Sequence, residues 1–220
     1  GDQNIAIGYQ AMDASYIDDT QDALTINNVF IGNNAGGGTW VTAASHSNVG
    51  IGTGVMAAAM NESTNNTAVG LVSLSALTTG DFNAGLGAYS NYLVTTGSEN
   101  TSLGYSAGLY NSTGSKNVYV GAFSGQGNSG DSHTANVAVG YKTLYSITTG
   151  GYNVAMGYQA GDALTTSAGN VFIGSSAGSA CVDTANAVLI GNGAGEDSDI
   201  ASDGTVAIGY RALKALTSGR

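Results

Sequence analysis

Two short stretches of the chain, residues 104–108 and 174–178, match the G-x-S-x-G pattern that places a nucleophilic serine on a sharp turn. The candidate nucleophiles are Ser106 and Ser176. The same slot recurs along the chain and elsewhere holds residues of unrelated chemistry, such as Gln10, Lys142 and Gly193. A structural repeat therefore accounts for both matches, and neither serine is predicted to be catalytic.

Two other motifs contain the residue types of a functional site but lack the surrounding sequence pattern that such a site needs. Asp131, Ser132 and His133 contain the residue types of a catalytic triad, but adjacent side chains of an extended chain point in opposite directions and cannot converge. Residues 125–130 match the glycine-rich dinucleotide fingerprint, yet no helical pattern follows them and no acidic residue stands about twenty positions further on. We expect no enzyme activity.

Acidic residues cluster at two places where carboxylate oxygens could bind calcium. One cluster contains Asp197, Asp199 and Asp203, and the other contains Asp18, Asp19 and Asp22. The first cluster fails the EF-hand order, because Ile208 stands where a bidentate glutamate is needed. Solvated loops are the favoured interpretation and calcium is the alternative, so no cofactor is expected. The two histidines, His46 and His133, are too far apart along the repeat to share a zinc ion.

A short core of asparagine, apolar residue, any residue, apolar residue and glycine recurs twelve times along the chain. Residues 136–140 are a representative copy. The shortest spacing between core glycines is 17 positions, as from Gly70 to Gly87, and the longest is 24 positions, from Gly8 to Gly32. So regular a spacing indicates one structural unit repeated along the whole chain.

Intervals this short suit one coil of a β-solenoid, with a strand of about five residues, a turn and a second short strand. The predicted fold is an all-β parallel solenoid of about twelve coils. It forms a single domain over residues 1–220, with longer loops inserted at 9–27 and 33–47.

Strand alternation separates the core positions into two faces. We expect the second and fourth positions, such as Val118 and Val120, to face the interior of the coil. The middle position, such as Tyr119 or Phe172, then faces outward. No charged residue occupies that position in any of the twelve cores. A bare stripe of this kind is prone to aggregate, so we expect another copy of the chain to cover it.

The leading residue of the core is asparagine in ten of the twelve copies. Asparagines in register from coil to coil can stack their amides into a hydrogen-bonded ladder. The recurrent glycine at the end of the core indicates a corner with positive φ or close backbone approach. These residues are predicted to be scaffold. The ladder comprises Asn4, Asn28, Asn48, Asn66, Asn83, Asn100, Asn117, Asn136, Asn153 and Asn170.

Composition excludes several function classes. The chain has 35 glycines, no proline and 9% charged residues, which is typical of a repeat architecture. Its net charge of −10 repels nucleic acids and anionic membranes. There is no apolar run of about 18 residues, so no membrane insertion is expected. The single cysteine, Cys181, is interpreted as inert packing.

The Asn-apolar-x-apolar-Gly cores resemble the head repeats of trimeric autotransporter adhesins. The longer repeat, with Ala-Ile-Gly-Tyr-Gln-Ala at 6–11 and a Leu-Thr-Thr-Gly turn at 77–80, looks more like repeats of phage and bacterial tail-fibre-like proteins. The resemblance covers nearly the whole chain. It implies a left-handed β-roll, a homotrimer and an extracellular location, on a virion tail fibre or a cell surface.

Recognition of a host receptor or glycan is expected on the N-terminal loops, if anywhere. Trp40, the only tryptophan, lies close behind three consecutive glycines, and an aromatic ring on such a loop is a reasonable sugar contact. Packing of Trp40 over the end of the roll is the favoured alternative. The carboxylates of Asp18, Asp19 and Asp22 are further candidates for recognition.

The register also predicts how copies could join. Arg220 lies 11 positions after Gly209, and Gly8 is the eighth position of the chain. If Arg220 were followed by Gly1 of another copy, the next core glycine would come 11 plus 8, or 19, positions after Gly209, within the range of the other coils. Head-to-tail stacking into a filament is therefore expected, with excision from a longer chain as an equal alternative.

The function expected from these features is that of a non-catalytic shaft and display surface in an extracellular fibre, namely a phage tail fibre or a surface filament or adhesin. A ligand-binding solenoid for glycan, receptor or ice is the alternative. The chain lacks the flat row of threonines expected of an ice-binding surface, because Thr78 and Thr79 are adjacent and face opposite ways.

Overall fold

Each Asn-x-x-x-Gly core forms one β-strand, and the strands follow one another at the spacing of the repeat. The computed structural model describes residues 3–13, 25–40, 45–197, 200 and 204–214. Within them there are twelve strands and no helix. The strands are β1 Ile5–Ile7, β2 Val29–Ile31, β3 Val49–Ile51, β4 Thr67–Val69, β5 Ala84–Leu86, β6 Thr101–Leu103, β7 Val118–Val120, β8 Val137–Val139, β9 Val154–Met156, β10 Val171–Ile173, β11 Val188–Ile190 and β12 Val206–Ile208.

The strands build one parallel sheet in sequence order, from β1 to β12. Every pairing joins the middle residue of one strand to the middle residue of the next, as in Tyr119 with Ala138. This register means that equivalent positions of the repeat stack directly above one another. The predicted all-β parallel solenoid is confirmed.

The rest of each coil differs from the prediction. The strands are three residues long instead of about five, and the described part of the chain has no second strand in the coil. The return path is made of turns that still bond to the next coil, as when Thr95 N donates to Ser112 O at 2.8 Å. So short a coil has no room for two straight segments, and most of it bends.

The bending occurs at left-handed backbone positions that recur in each coil. In the coil of β7 they are Lys116, Phe123 and Gly125, with φ of 64°, 59° and 56°. Equivalent residues of the other coils share the conformation whatever their side chain. This repeated backbone, and not a helix or a second strand, brings the chain back to its starting point above the previous coil.

The glycine that ends each core is required by stacking. These twelve glycines have φ between 128° and 143°, a region open essentially to glycine alone. A Cβ built on any of the first eleven would overlap the backbone of the core glycine in the next coil. The backbones therefore approach here more closely than any side chain permits.

The prediction of which strand face lies inside was wrong. The middle residue is buried, as with Phe30, Tyr119 and Phe172, whereas its two neighbours point outward. The alternation was correct but its phase was inverted. Middle residues are often alanine, glycine or serine because the interior of so short a coil is narrow, and turn residues such as Leu74 and Leu144 fill the remaining space.

Large and small residues compensate within this interior. Where the middle residue is Tyr119, the turn residue of the same coil is Gly125, and a Cβ there would overlap the tyrosine ring. Gly178 fills the same slot in the coil of Phe172, where an added Cβ would come within 3.0 Å of the phenylalanine ring. In the coil of β4, where the middle residue is alanine, the same turn slot holds the buried Leu74. A large side chain at one position is thus balanced by a small one at the other.

The asparagine ladder predicted from the repeat is present. Asn100 Nδ2 donates to Asn83 Oδ1 at 3.0 Å and to Gly114 O at 2.9 Å. Its own Oδ1 accepts from Asn117 N at 3.1 Å and from Asn117 Nδ2 at 2.8 Å. The last rung joins Ala187 N to Asn170 Oδ1 at 2.9 Å. Each buried amide therefore joins its coil to both neighbours.

Replacing one core glycine tests the role of backbone contact. Gly121→Ala is expected to destabilise the protein by about 4 kcal/mol or more, since it combines backbone strain with overlap of the Gly140 carbonyl. Gly209→Ala is the matched control, because Gly209 has a similar φ of 131° but nothing within 4 Å of the added Cβ. Urea unfolding of both variants gives the comparison, and equal losses would rule out close stacking as the cause.

Removing one amide from the ladder tests its contribution. Asn100→Ala leaves Asn83 Oδ1, Gly114 O and Asn117 Nδ2 with fewer partners in a buried site. We expect a loss of about 2 to 4 kcal/mol in the free energy of unfolding. Asn192→Ala, at an exposed turn position, is expected to change stability by less than about 0.5 kcal/mol. Chemical denaturation of the two variants measures the difference, and a loss of similar size in both would contradict a specific ladder.

Candidate functional site

The outward-facing side of the sheet is apolar along its whole length. We call it the outer strand face: the first and third residues of each of the twelve strands. Only Thr67 and Thr101 are polar among them, and none is charged. Several large side chains are well exposed, with Ile7 at 57%, Leu103 at 48% and Val206 at 63%. A face of this length is far more apolar than the surface of an ordinary monomer.

A second exposed feature is a row of aromatic rings that sequence reasoning missed. The aromatic ladder comprises Tyr89, Tyr105, Phe123, Tyr141 and Tyr158, one from each of five successive coils. Successive ring centroids are 5.9, 5.2, 5.9 and 5.6 Å apart. The first three contacts are edge-to-face and the last is stacked.

The edge-to-face geometry follows from where each ring sits in its coil. Tyr105 and Tyr141 are the first residues after the core glycine, whereas Tyr89 and Phe123 are the second. The rings therefore alternate between two slots along the first four coils. Tyr158 breaks the alternation because it occupies the first slot, as Tyr141 does, and these two rings lie 13° from parallel. The ladder becomes visible in the sequence only when the first and second positions after the core glycine are compared together across the coils.

Beside the ladder is a cleft of about 280 Å³. Five aromatic rings contribute to its walls, together with a serine, a leucine and a glutamine, and none of these residues is charged. The lining residues are Tyr89, Tyr92, Tyr105, Ser106, Leu109, Tyr110, Phe123 and Gln126.

Two side-chain acceptors near these rings lack a hydrogen-bond partner among the described residues. They are Gln126 Oε1 and Asp162 Oδ1, both shielded from solvent. Gln126, Tyr145 and Asp162 fill the same slot in three successive coils. Burial raises the pKa of Asp162, while a backbone hydrogen bond and the nearby Lys142 oppose that shift. Unpaired buried acceptors are uncommon and suit a ligand that donates hydrogen bonds.

The structure does not assemble the serine motifs into a nucleophile site. Ser106 and Ser176 occupy the same left-handed slot, with φ of 54° and 55°, as equivalent residues of other coils. Ser106 is 4% exposed. The slot is thus a turn position that recurs in every coil.

The three residues that resemble a triad do not converge. Ser132 Oγ lies 2.6 Å from Thr113 Oγ1, and Asp131 Oδ2 accepts from Asn128 N. His133 instead lies inside the coil, where its Nδ1 is 2.6 Å from Tyr119 Oη. Burial lowers the pKa of His133 to about 4 and raises that of Tyr119, so both are neutral at pH 7. This pair is part of the core.

Trp40 also lies in the core, 2% exposed, with its ring 5.6 Å from that of Phe30. Its indole presents almost no surface to a ligand, as the packing alternative expects. Asp18, Asp19, Asp22, Asp199 and Asp203 lie outside the described residues. Among the residues that are described, no group of three or more metal-binding side chains forms.

Comparison of the chain with protein-family models, curated proteins and solved structures found no match. None of the described residues belongs to a helix long and apolar enough to cross a membrane.

The buried histidine predicts a loss of stability in acid. The unfolded chain protonates His133 near the ordinary pKa of 6.5, but the folded chain does so only near 4. Its stabilising contribution is complete above pH 6.5 and falls by about 3 kcal/mol as the pH drops to 4. Urea unfolding of the wild type at pH 7.5 and 4.5 should show this loss.

The variant His133→Gln should lose much less stability over the same pH range, because it has no imidazole to protonate. The control His46→Gln removes the chain's other histidine and should keep the full acid sensitivity. Identical pH dependence in the two variants would show that protonation of His133 is not the cause.

Proposed function

We propose that the chain is a non-catalytic structural segment of an extracellular fibre, which acts as a rigid shaft and display surface. The observation that carries this proposal is the outer strand face. An all-parallel sheet is ordinarily covered on both sides. Here the coil interior covers one side, and no described residue of the chain covers the other.

A second copy of the same chain is the partner that fits this face best. The face presents the same two apolar columns at every coil, so a parallel copy in register offers matching columns over the whole length. Its lack of charge allows close approach in spite of the net charge of −10. Association in this way would bury the exposed isoleucine, leucine and valine side chains and supply the main driving force.

A homotrimer is the proposed assembly, in line with the adhesin and tail-fibre repeats that the cores resemble. Three copies would enclose the outer strand faces around a common axis. With strands spaced about 4.8 Å apart, the eleven intervals give a rod roughly 50 Å long. Such a rod would act as a rigid spacer and would display the turns on its outer surface. Both roles suit a segment of a phage tail fibre or of a surface adhesin.

The mass in solution tests the proposal. Sedimentation equilibrium and light scattering should give three times the chain mass of 21.8 kDa for the wild type. Leu103→Lys places a charge on the outer strand face and should raise the dissociation constant of the trimer tenfold or more. Thr149→Lys makes a like charge change at an exposed turn position and should leave the mass unchanged.

Two outcomes would overturn this assignment. One is a wild type that stays monomeric at all measured concentrations. The other is a Leu103→Lys variant that retains the wild-type mass, since the contact would then lie elsewhere. Circular dichroism and thermal unfolding of each variant establish that the solenoid itself is folded.

A further inference from the structure

The aromatic ladder is an addition to the scaffold and is not required by it. In the first slot after the core glycine other coils hold Asn33, Thr53 or Ser175, and in the second they hold Gln10 or Gly193. These coils stack with the same backbone bonds as the aromatic ones. The rings are therefore not explained by the fold.

Their exposure points in the same direction. Tyr105, Tyr141 and Tyr158 are 49%, 42% and 53% exposed, and Tyr89 and Phe123 are partly buried. Rings in contact along five coils form a continuous platform instead of scattered surface residues. Aromatic faces carry partial negative charge and pack well against the C–H groups of a sugar ring, which carry partial positive charge.

The polar groups around the platform favour a ligand rich in hydroxyl groups. The tyrosine hydroxyls both donate and accept, and Gln126 lines the cleft with an Oε1 that has no partner among the described residues. A ligand hydroxyl that reached this oxygen would find an acceptor with no other partner among the described residues. Asp162, at the Tyr158 end of the ladder, has a second unpaired oxygen.

Charge decides between neutral and ionic ligands. The residues that line the cleft are all uncharged. The cation that the described residues place over the ladder is Lys142, whose Nζ lies 5.7 Å from the centroid of the ladder ring Tyr141 and 5.0 Å from that of Tyr145. The chain as a whole carries a charge of −10. That net charge repels a polyanion such as nucleic acid, and the cleft has no carboxylate among its lining residues with which a cationic ligand could pair.

We propose that the aromatic ladder and its cleft bind a neutral polysaccharide that runs along the stacking direction, with sugars packed on exposed ring faces and against the edges of the rings that stand perpendicular between them. Each ring belongs to one coil, and centroids 5.2 to 5.9 Å apart are comparable to the length of one sugar residue. The platform would hold a run of about five sugars. This inference assigns the adhesive part of the proposed function to a site, but it does not require that copies associate.

Binding is tested with the full chain and defined neutral glycans. Cellohexaose, maltohexaose and mannohexaose are titrated by calorimetry, and galactomannan is tested by affinity electrophoresis, with polygalacturonate as the anionic comparator. We expect at least one neutral glycan to bind and polygalacturonate not to bind. Failure of every neutral glycan, or preference for polygalacturonate, would overturn the proposal.

Variants locate the site. Tyr105→Ala and Phe123→Ala should each weaken binding about tenfold, and the double variant more. Tyr9→Ala and Tyr210→Ala are matched controls, because both tyrosines fill the first slot, are 72% and 71% exposed and lie outside the ladder. The controls should bind as the wild type does. Equal binding by the ladder variants and the controls would refute the assignment.

Gln126→Leu separates recognition from structure. It removes an acceptor that has no partner among the described residues, so stability should be unchanged or higher while glycan affinity falls several-fold. The oligomeric mass of all ladder variants is measured alongside. If Tyr105→Ala lowers the oligomeric mass and leaves glycan affinity unchanged, the ladder is a contact between copies and the proposed glycan site is wrong. A monomeric wild type that binds glycan would refute only the proposed trimer.

Discussion

Close stacking of one coil on the next, in constant register, is the constraint on which the rest of this molecule depends. At the core glycines the backbones approach so closely that a Cβ would overlap the next coil. Beside them the asparagine side chains hydrogen-bond to backbone and amide groups of the neighbouring coils. Glycine and asparagine therefore recur because the stacking distance selects them.

The same constraint makes the interior narrow and its packing compensatory. Since every coil must follow the same path, a large middle residue cannot be accommodated by widening the coil. It is accommodated by removing a side chain opposite, as Gly125 does for Tyr119 and Gly178 for Phe172. The buried Tyr119 and His133 share the same space, where Tyr119 Oη and His133 Nδ1 form a hydrogen bond.

The repeat predicted the solenoid, the asparagine ladder and the core glycines, because each depends only on the period of the sequence. It did not predict which strand face is buried, because both faces are apolar: Val118 and Val120 lie on one face, and Tyr119, the residue between them in the sequence, lies on the other. Period-two alternation separates two faces but does not say which one is inside. The aromatic ladder escaped notice because its members change slot between Tyr89 and Tyr105, so no single column of the repeat displays them.

Two kinds of outward surface follow from one scaffold. The outer strand face must remain apolar in every coil if copies are to pack along their length, because one charged rung would interrupt the contact. The slots after the core glycine carry no such requirement, since their backbone bonds form with Asn33, Tyr105 or Ser175 alike. In the proposed assembly, association would involve the whole rod, and a recognition site could occupy a few coils without disturbing it. The aromatic ladder is confined to five coils. A contact between copies that runs the whole length of the rod would involve every coil, so the distribution of the ladder favours a binding site over an assembly contact.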